Sequence, residues 1–195
     1  MKRLEDLLRM EKLQLINAKR SCMVVIDPQE RLMKAVEKPE KVVKNINLLM
    51  KTAEVFDIPV IATTQYKKGL GPIVSEIELS AKRLFQIDKT EFNCFFNKDF
   101  ISILNNLPPA IDTLILSGVE AHICVFQTAV AAMERNFSTW VASDAVSSRS
   151  KKNKKQALTL MTQNTIFCAP TETIVYQVLK KAGTEQFKSL LSHLK

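Results

Sequence analysis

Short apolar runs rich in β-branched residues alternate along the chain with longer segments of helical periodicity. The run Cys22–Ile26 is apolar at every position, which is typical of a strand covered by helices on both faces. The segment Glu40–Phe56 has an apolar residue every three or four positions, which indicates an amphipathic helix. The predicted strands are Cys22–Ile26, Ile58–Thr63, Leu84–Ile87, Thr113–Leu116, Ser138–Ala142 and Thr165–Cys168, and the predicted helices are Glu40–Phe56, Lys98–Asn106, His122–Arg135, Lys151–Gln163, Thr171–Lys181 and Glu185–Leu194.

This alternation predicts an α/β fold built on a doubly wound parallel sheet. The common strand order of such sheets is 3-2-1-4-5-6, in which strands 1 and 4 are neighbours. Ligands bind outside the carboxyl ends of the strands at this point of the sheet. Asp27 follows strand 1 and Cys124 follows strand 4. We therefore expect these two side chains to meet, although they are far apart in sequence.

The length of 195 residues suits one domain with a core that needs no disulfides. We predict that this domain spans residues 21–195 and follows an amphipathic helical extension over residues 1–20. The extension mixes leucines with acidic and basic residues, unlike a secretory signal or an acid-free transit peptide. We therefore expect a cytoplasmic protein, with mitochondrial import through an unusual transit peptide as the alternative. No apolar run approaches the ~18 residues that span a membrane, so we expect no membrane partner.

The chain carries 28 Lys and Arg against 20 Asp and Glu, a net charge of +8. Such an excess raises the alternative of a nucleic-acid partner. The one dense basic run is Lys151–Lys155, and it lacks the interleaved aromatic residues that single-strand binders use for stacking. We therefore interpret this run as a solvated helix face and keep nucleic-acid binding as the alternative.

The four cysteines match neither a zinc pattern nor a redox pair in their spacing. Cys124 is placed in the first turn of the helix after strand 4, where the helix dipole and a nearby cation lower a thiol pKa. Lys89, just past strand 3, could supply that cation, and Asp27 could accept the thiol proton. The alternative is that Cys124 is a small core residue, which is the interpretation we favour for Cys22, Cys94 and Cys168.

Three segments of the chain resemble the isochorismatase-like cysteine hydrolase superfamily, and the resemblance extends over about residues 20–190. They are Val24–Glu30, Lys89–Phe92 and Gly118–Val125, in the order and spacing of the family's catalytic triad. The segment Ser143–Ser150 is similar to the family's segment after strand 5. The resemblance implies a three-layer α-β-α sandwich with a six-stranded parallel sheet of order 3-2-1-4-5-6.

The same resemblance implies a role for each member of the triad. Cys124 would be the nucleophile, Asp27 the general base and Lys89 their electrostatic partner. It also implies a cis peptide bond between Val119 and Glu120. In the family this bond turns backbone N–H groups toward the oxyanion, so Glu120 and Cys124 would be the donors. His122 is not expected to pair with Cys124, because residues two positions apart on a helix point in different directions.

The chain also departs from two branches of the superfamily. Nicotinamidases carry a metal-binding Asp-x-His pair after strand 2, where this chain reads Thr63–Gly69 without such a pair. We therefore expect no metal ion, and we expect no cofactor. Isochorismatase itself lacks the nucleophilic cysteine that this chain has. The loop Gln65–Gly71, with the sequence QYKKGLG, resembles that of the eukaryotic isochorismatase domain-containing proteins.

These observations predict a metal-independent cysteine hydrolase that cleaves a small amide or other C–N bond through a thioester intermediate. We expect a small-molecule substrate and a homo-oligomer. The alternatives are a nucleic-acid-associated, ribonuclease-like protein and a non-catalytic oligomeric scaffold that uses the basic surface. The side chains expected to line the substrate pocket are Gln29, Tyr66, Gly69, Leu70, Phe92 and His122.

Overall fold

Six parallel strands form one sheet in the order β3-β2-β1-β4-β5-β6 in the computed structural model of the protein, which describes residues 15–194. The predicted strand order is therefore confirmed. The strands are β1 Ser21–Ile26, β2 Val60–Gln65, β3 Leu84–Lys89, β4 Thr113–Val119, β5 Ser138–Ser147 and β6 Phe167–Ala169.

Helices cover both faces of the sheet, which confirms the α-β-α layers. Helices α2, α7 and α8 pack on one face, and α4, α5 and α6 pack on the other. The helices are α1 Glu30–Met33, α2 Pro39–Phe56, α3 Lys67–Leu70, α4 Lys98–Asn106, α5 Phe126–Glu134, α6 Lys151–Gln163, α7 Thr171–Leu179 and α8 Glu185–Leu190.

Strand β1 shows why the central strands are apolar at every position. Successive side chains of a strand point to opposite faces, and both faces here are covered. Met23 and Val25 belong to the core on the α2 side, whereas Val24 and Ile26 belong to the core on the α5 side. Every residue of β1 is consequently buried.

Strand β5 is longer than the predicted Ser138–Ala142, because it continues to Ser147. The prediction stopped where the polar pair Ser143 and Asp144 breaks the apolar pattern. In the structure the register of β4 with β5 shifts between Leu116 and Gly118. The Asp144 carboxylate accepts hydrogen bonds from the backbone N–H and the hydroxyl of Thr171, both at 2.7 Å. The polar pair is thus accommodated inside the strand.

Several predicted boundaries are displaced by local backbone conformation. Thr165 has a left-handed backbone with φ 60°, so the sixth strand begins at Phe167 instead of Thr165. Lys180 also has φ 60° and ends α7 two residues before the predicted Lys181. The short helices α1 and α3 were not predicted.

The predicted extension over residues 1–20 is only partly within the described residues, because positions 1–14 lie outside them. Ala18–Arg20 forms a single 3₁₀ turn that leads into β1. Ile16 is 1% exposed and belongs to the core on the α2 side. Across residues 15–194, the structure contains no helix of the length and apolarity that crossing a membrane requires.

Candidate active site

Asp27 lies at the carboxyl end of β1, next to the ends of β2 and β4. Its backbone is left-handed, with φ 50°, a conformation that Asp tolerates better than most residues. The side chain is fully buried. Thr63 donates its hydroxyl proton to Oδ1 of Asp27 at 2.6 Å, and the Lys89 ammonium donates to Oδ2 at 2.6 Å. Both carboxylate oxygens therefore have a fixed partner.

Lys89 ends β3, and its side chain crosses beneath β2 to reach Asp27. The two side chains form an ion pair in which neither is exposed. Burial lowers the pKa of Lys89, but the charges of Asp27, Cys94 and Cys124 and the hydrogen bond to Asp27 outweigh it, so the pKa is raised overall. Lys89 is thus a charged ammonium at neutral pH.

Cys124 lies in a π-helical turn, Ala121–Val125, between β4 and α5. Its side chain is 5% exposed. Burial raises the pKa of the thiol strongly, and the charge of Asp27 and a hydrogen bond to it raise it further, whereas Lys89 lowers it. The sequence argument predicted a lowered pKa. That expectation is wrong for the resting site, because desolvation and Asp27 together exceed the effect of the cation. Cys124 is therefore a protonated thiol whose neighbour is a carboxylate.

Cys94 is a second thiol of the same cluster, which the sequence analysis treated as a core residue. It is fully buried, and its backbone N–H donates to the Thr128 hydroxyl at 3.1 Å. Burial raises its pKa to about 11, the charge of Lys89 lowers it and that of Asp27 raises it. Cys94 lies in the 3₁₀ turn Cys94–Phe96, where the charges of Lys89 and Asp27 act on its thiol. No pattern in the sequence predicts this placement.

The other two cysteines fit the expectation of core residues. Burial raises the pKa of Cys22 to about 12 and that of Cys168 to about 11. No charged group of the candidate site acts on either thiol. Cys168 is nevertheless partly exposed, which makes it a useful reference for the reactivity of Cys124.

The peptide bond between Val119 and Glu120 is cis. The Glu120 side chain is 4% exposed and forms an ion pair with Arg149, Nη2 to Oε1 at 2.6 Å. The backbone N–H of Arg149 also donates to Glu120 Oε2 at 2.8 Å. Burial acts to raise the pKa of Glu120, but the hydrogen bonds and charge of Arg149 hold it below the usual value. The sequence analysis assigned Arg149 no role, although the segment that contains it resembles the family.

His122 is held by the end of β5 and the start of α6. Its Nδ1 lies 3.0 Å from the Ser148 hydroxyl, and its Nε2 lies 3.3 Å from the Asn153 amide nitrogen. Both ring nitrogens are therefore occupied away from the triad, and a catalytic Cys–His pair is not formed.

Gln29 was expected in the substrate pocket, but its side chain is fully buried. Its Oε1 accepts from the backbone N–H of Gln65, and its Nε2 donates to the carbonyl of Gly71, both at 2.6 Å. Both ends of the amide are consequently used to hold the loop after β2. Contact of Gln29 with substrate stays a prediction.

The remaining expected pocket residues lie in two loops at this edge of the sheet. Tyr66 and Phe92 are each 54% exposed. Gly69 and Leu70 belong to α3, and the Tyr66 ring lies so close over Gly69 that any side chain there would overlap it. Their contact with substrate stays a prediction. Within residues 15–194, no group of three or more His, Cys, Asp or Glu side chains is arranged to hold a metal ion.

Comparison with known proteins agrees with the fold. Residues 21–173 match the isochorismatase domain. Isochorismatase domain-containing protein 2B of Mus musculus is 33% identical over 175 residues, which are 90% of this chain and 81% of that protein. The MAR1 ribonuclease of Caenorhabditis elegans is 29% identical, with a TM-score of 0.86 over 93% of this chain and 92% of that one. The octameric YcaC hydrolase of Escherichia coli, at 22% identity, shares the fold with a TM-score of 0.86 over 94% and 92% of the two chains. The chain therefore belongs to the isochorismatase family and resembles its domain-containing protein 2 subgroup.

Proposed function

We propose that the protein is a metal-independent cysteine hydrolase that cleaves a small amide or other C–N bond. The observation that carries this proposal is the placement of the Cys124 thiol against Asp27, whose carboxylate is paired with Lys89 in a fully buried site. A thiol hydrogen-bonded to a base, with that base paired to a cation, supports the assignment of Cys124 as an activated nucleophile.

In the proposed reaction, Asp27 accepts the proton of Cys124 while the sulfur forms a bond to the carbonyl carbon of the substrate. The carbonyl oxygen becomes an oxyanion, which the backbone N–H groups of Glu120 and Cys124 bind. The C–N bond then breaks as Asp27 returns the proton to the leaving nitrogen, and a thioester remains. Water, deprotonated by Asp27, hydrolyses the thioester and regenerates the thiol.

Because the pKa of Cys124 is raised, the thiol is expected to lose its proton to Asp27 during the attack. It is not expected to be a thiolate before the substrate binds. Asp27 is the acceptor within reach, and Lys89 stabilises the negative charge that moves from carboxylate to sulfur. The chemistry therefore depends on the pair and not on the thiol alone.

The burial of Cys124 favours a small substrate over the ribonuclease-like alternative. With 5% of the residue's surface exposed, Cys124 suits a compact electrophile better than a polynucleotide backbone. The relative from Caenorhabditis elegans carries the name ribonuclease, but that name applies to that protein.

Homo-oligomerisation and a cytoplasmic location stay predictions. The exposed side chains of Phe92 and Phe96 favour homo-oligomerisation.

Iodoacetamide, which is itself a small primary amide, tests whether Cys124 is activated. We expect alkylation at pH 7 to reach Cys124 before the more exposed Cys168, although both thiols have raised pKa values. Peptide mapping by mass spectrometry measures the rate at each site. Asp27→Asn should slow Cys124 by about 100-fold or more, the lower end of the range for loss of a general base, and leave Cys168 unchanged.

The non-catalytic scaffold makes the opposite prediction. Exposure alone would then decide reactivity, so that Cys168 reacts first and Asp27→Asn has no effect on Cys124. That result would remove the chemical basis of the proposed hydrolase.

A further inference from the structure

The side-chain amide of Gln65, at the end of β2, contacts the ion pair of Lys89 with Asp27. Its Oε1 accepts a hydrogen bond from the Lys89 ammonium at 3.0 Å, and its Nε2 donates to the carbonyl of Thr90 at 2.6 Å. Gln65 is 8% exposed. The amide is therefore oriented by Thr90 so that its oxygen, and not its nitrogen, faces the ammonium.

A buried ammonium has three N–H groups to satisfy, and each unsatisfied one is costly. Among the described residues, Lys89 donates to Asp27 Oδ2 and to Gln65 Oε1. Gln65 is thus the second acceptor of the ammonium, and it is a neutral one. A neutral acceptor fixes the cation without cancelling the charge that Cys124 experiences.

Gln65 is also the point where the loop after β2 is joined to the catalytic centre. Its backbone N–H donates to Gln29, whose amide also holds the carbonyl of Gly71. The backbone N–H of Tyr66 donates to the carbonyl of Lys89 at 2.8 Å. The ends of β1, β2 and β3 are consequently tied together at one residue.

We propose that Gln65 is a positioning residue that holds the Lys89 ammonium on Asp27 and thereby sets how readily Cys124 gives up its proton. This inference rests on the proposed hydrolase function. Without the amide oxygen, the buried ammonium loses one of the two acceptors that Asp27 and Gln65 provide. Neutral lysine then becomes easier to form, and the positive charge that stabilises the developing thiolate is weakened.

Two nearly isosteric substitutions separate this role from packing. Gln65→Met keeps the volume and removes the acceptor, whereas Gln65→Glu keeps the shape and places a second carboxylate beside the ammonium. Gln86→Met is the matched control, because Gln86 is an exposed residue of the neighbouring strand β3. The readout is the rate of Cys124 alkylation by iodoacetamide from pH 5 to pH 10, with Cys168 as the internal reference.

We expect Gln65→Met to slow Cys124 at pH 7 by about 10-fold, the effect of losing one hydrogen bond to a charged group. The increase of the alkylation rate with pH should shift to higher pH. Gln65→Glu should show a loss at least as large, because its negative charge opposes a thiolate. Gln86→Met should keep the wild-type profile.

Wild-type rates and profiles in both Gln65 variants would overturn the inference. A wild-type profile in Gln65→Glu would also overturn it, since a second negative charge beside the ammonium would then have no effect on Cys124. Circular dichroism confirms folding, and if Gln65→Met does not fold, the shape-conserving Gln65→Glu decides the question. Failure of the proposed function is a separate result, because it appears in the wild type as a Cys124 slower than Cys168.

Discussion

Asp27 shows how a single residue combines a local signal with tertiary contacts. An apolar strand that ends in Asp-Pro marks the position in the sequence, and the carboxyl edge of a parallel sheet is where chemistry is found. The partners Thr63 and Gln65 carry no such signal, because Thr and Gln at a strand end are ordinary residues. Only the side-by-side placement of β1, β2 and β3 shows that both complete the site.

The ion pair of Glu120 with Arg149 predicts a pH-dependent contribution to stability. Arg149→Met should lower the free energy of unfolding at pH 7 by about 1–2 kcal/mol, because the buried Glu120 carboxylate loses a charged hydrogen-bond donor. The loss is modest because solvent partly screens the exposed guanidinium of Arg149. The pKa of Glu120 is lowered in the fold. The stability that the wild type has over Arg149→Met should therefore be complete above about pH 4.3, the pKa of Glu in the unfolded chain. It should disappear as the pH falls through the lowered pKa of Glu120 in the folded protein.

Urea unfolding at pH 7 and at pH 3 measures this difference. Arg31→Met is the control, because Arg31 is an exposed residue of α1, and its effect should be small at both pH values. If Arg149→Met lowered the free energy of unfolding equally at both pH values, the charge of Glu120 would not be the cause of the loss.

At the scale of elements, the junction of β1 with β4 brings the nucleophile to the base. Ile26 is paired with Gly118 at the end of this ladder, one residue before Asp27 and shortly before the turn that carries Cys124. Gly118 has φ +108°, and a side chain there would overlap the backbone of Ile26. The close approach of the two strands at this glycine became visible only in the pairing.

Gly118→Ala should therefore destabilise the protein by more than about 3 kcal/mol, since both strain and overlap with a neighbouring strand are unavoidable. Gly183→Ala is the matched control. Gly183 also has a positive φ, +77°, but nothing lies within 4 Å of the added carbon, so only about 1 kcal/mol of backbone strain is expected. Equal losses in urea unfolding would contradict the proposed clash.

At the scale of the whole molecule, the core includes a residue that precedes position 21. The pattern placed Ile16 in an extension outside the domain. In the structure Ile16 is 1% exposed and lies in the core with residues of α2, α7 and α8, and its backbone N–H donates to Gln177 at 3.1 Å. The preceding Leu15 is 71% exposed. An isolated isoleucine near a charged segment gives no sign of which core it joins.

We expect Ile16→Ala to cost about 2–4 kcal/mol in the free energy of unfolding, as other large-to-small changes in a core do. Leu15→Ala should change it by less than about 0.5 kcal/mol, because an exposed side chain has little contact to lose. Thermal or urea unfolding followed by the fluorescence of the buried Trp140 measures both. If Ile16→Ala were as mild as Leu15→Ala, the boundary at residue 21 would stand.

The sequence by itself determined the layers, the strand order and the convergence of Asp27, Lys89 and Cys124 at one edge. Strands that are buried on both faces of a parallel sheet have continuous apolar runs in the sequence. The topology of the sheet then decides which strand ends lie next to each other. The tertiary structure alone decided the protonation of Cys124, the second thiol Cys94 and the two neutral partners of the ion pair. All three features depend on desolvation and on contacts between distant strands. A linear pattern of residues predicts neither of these effects.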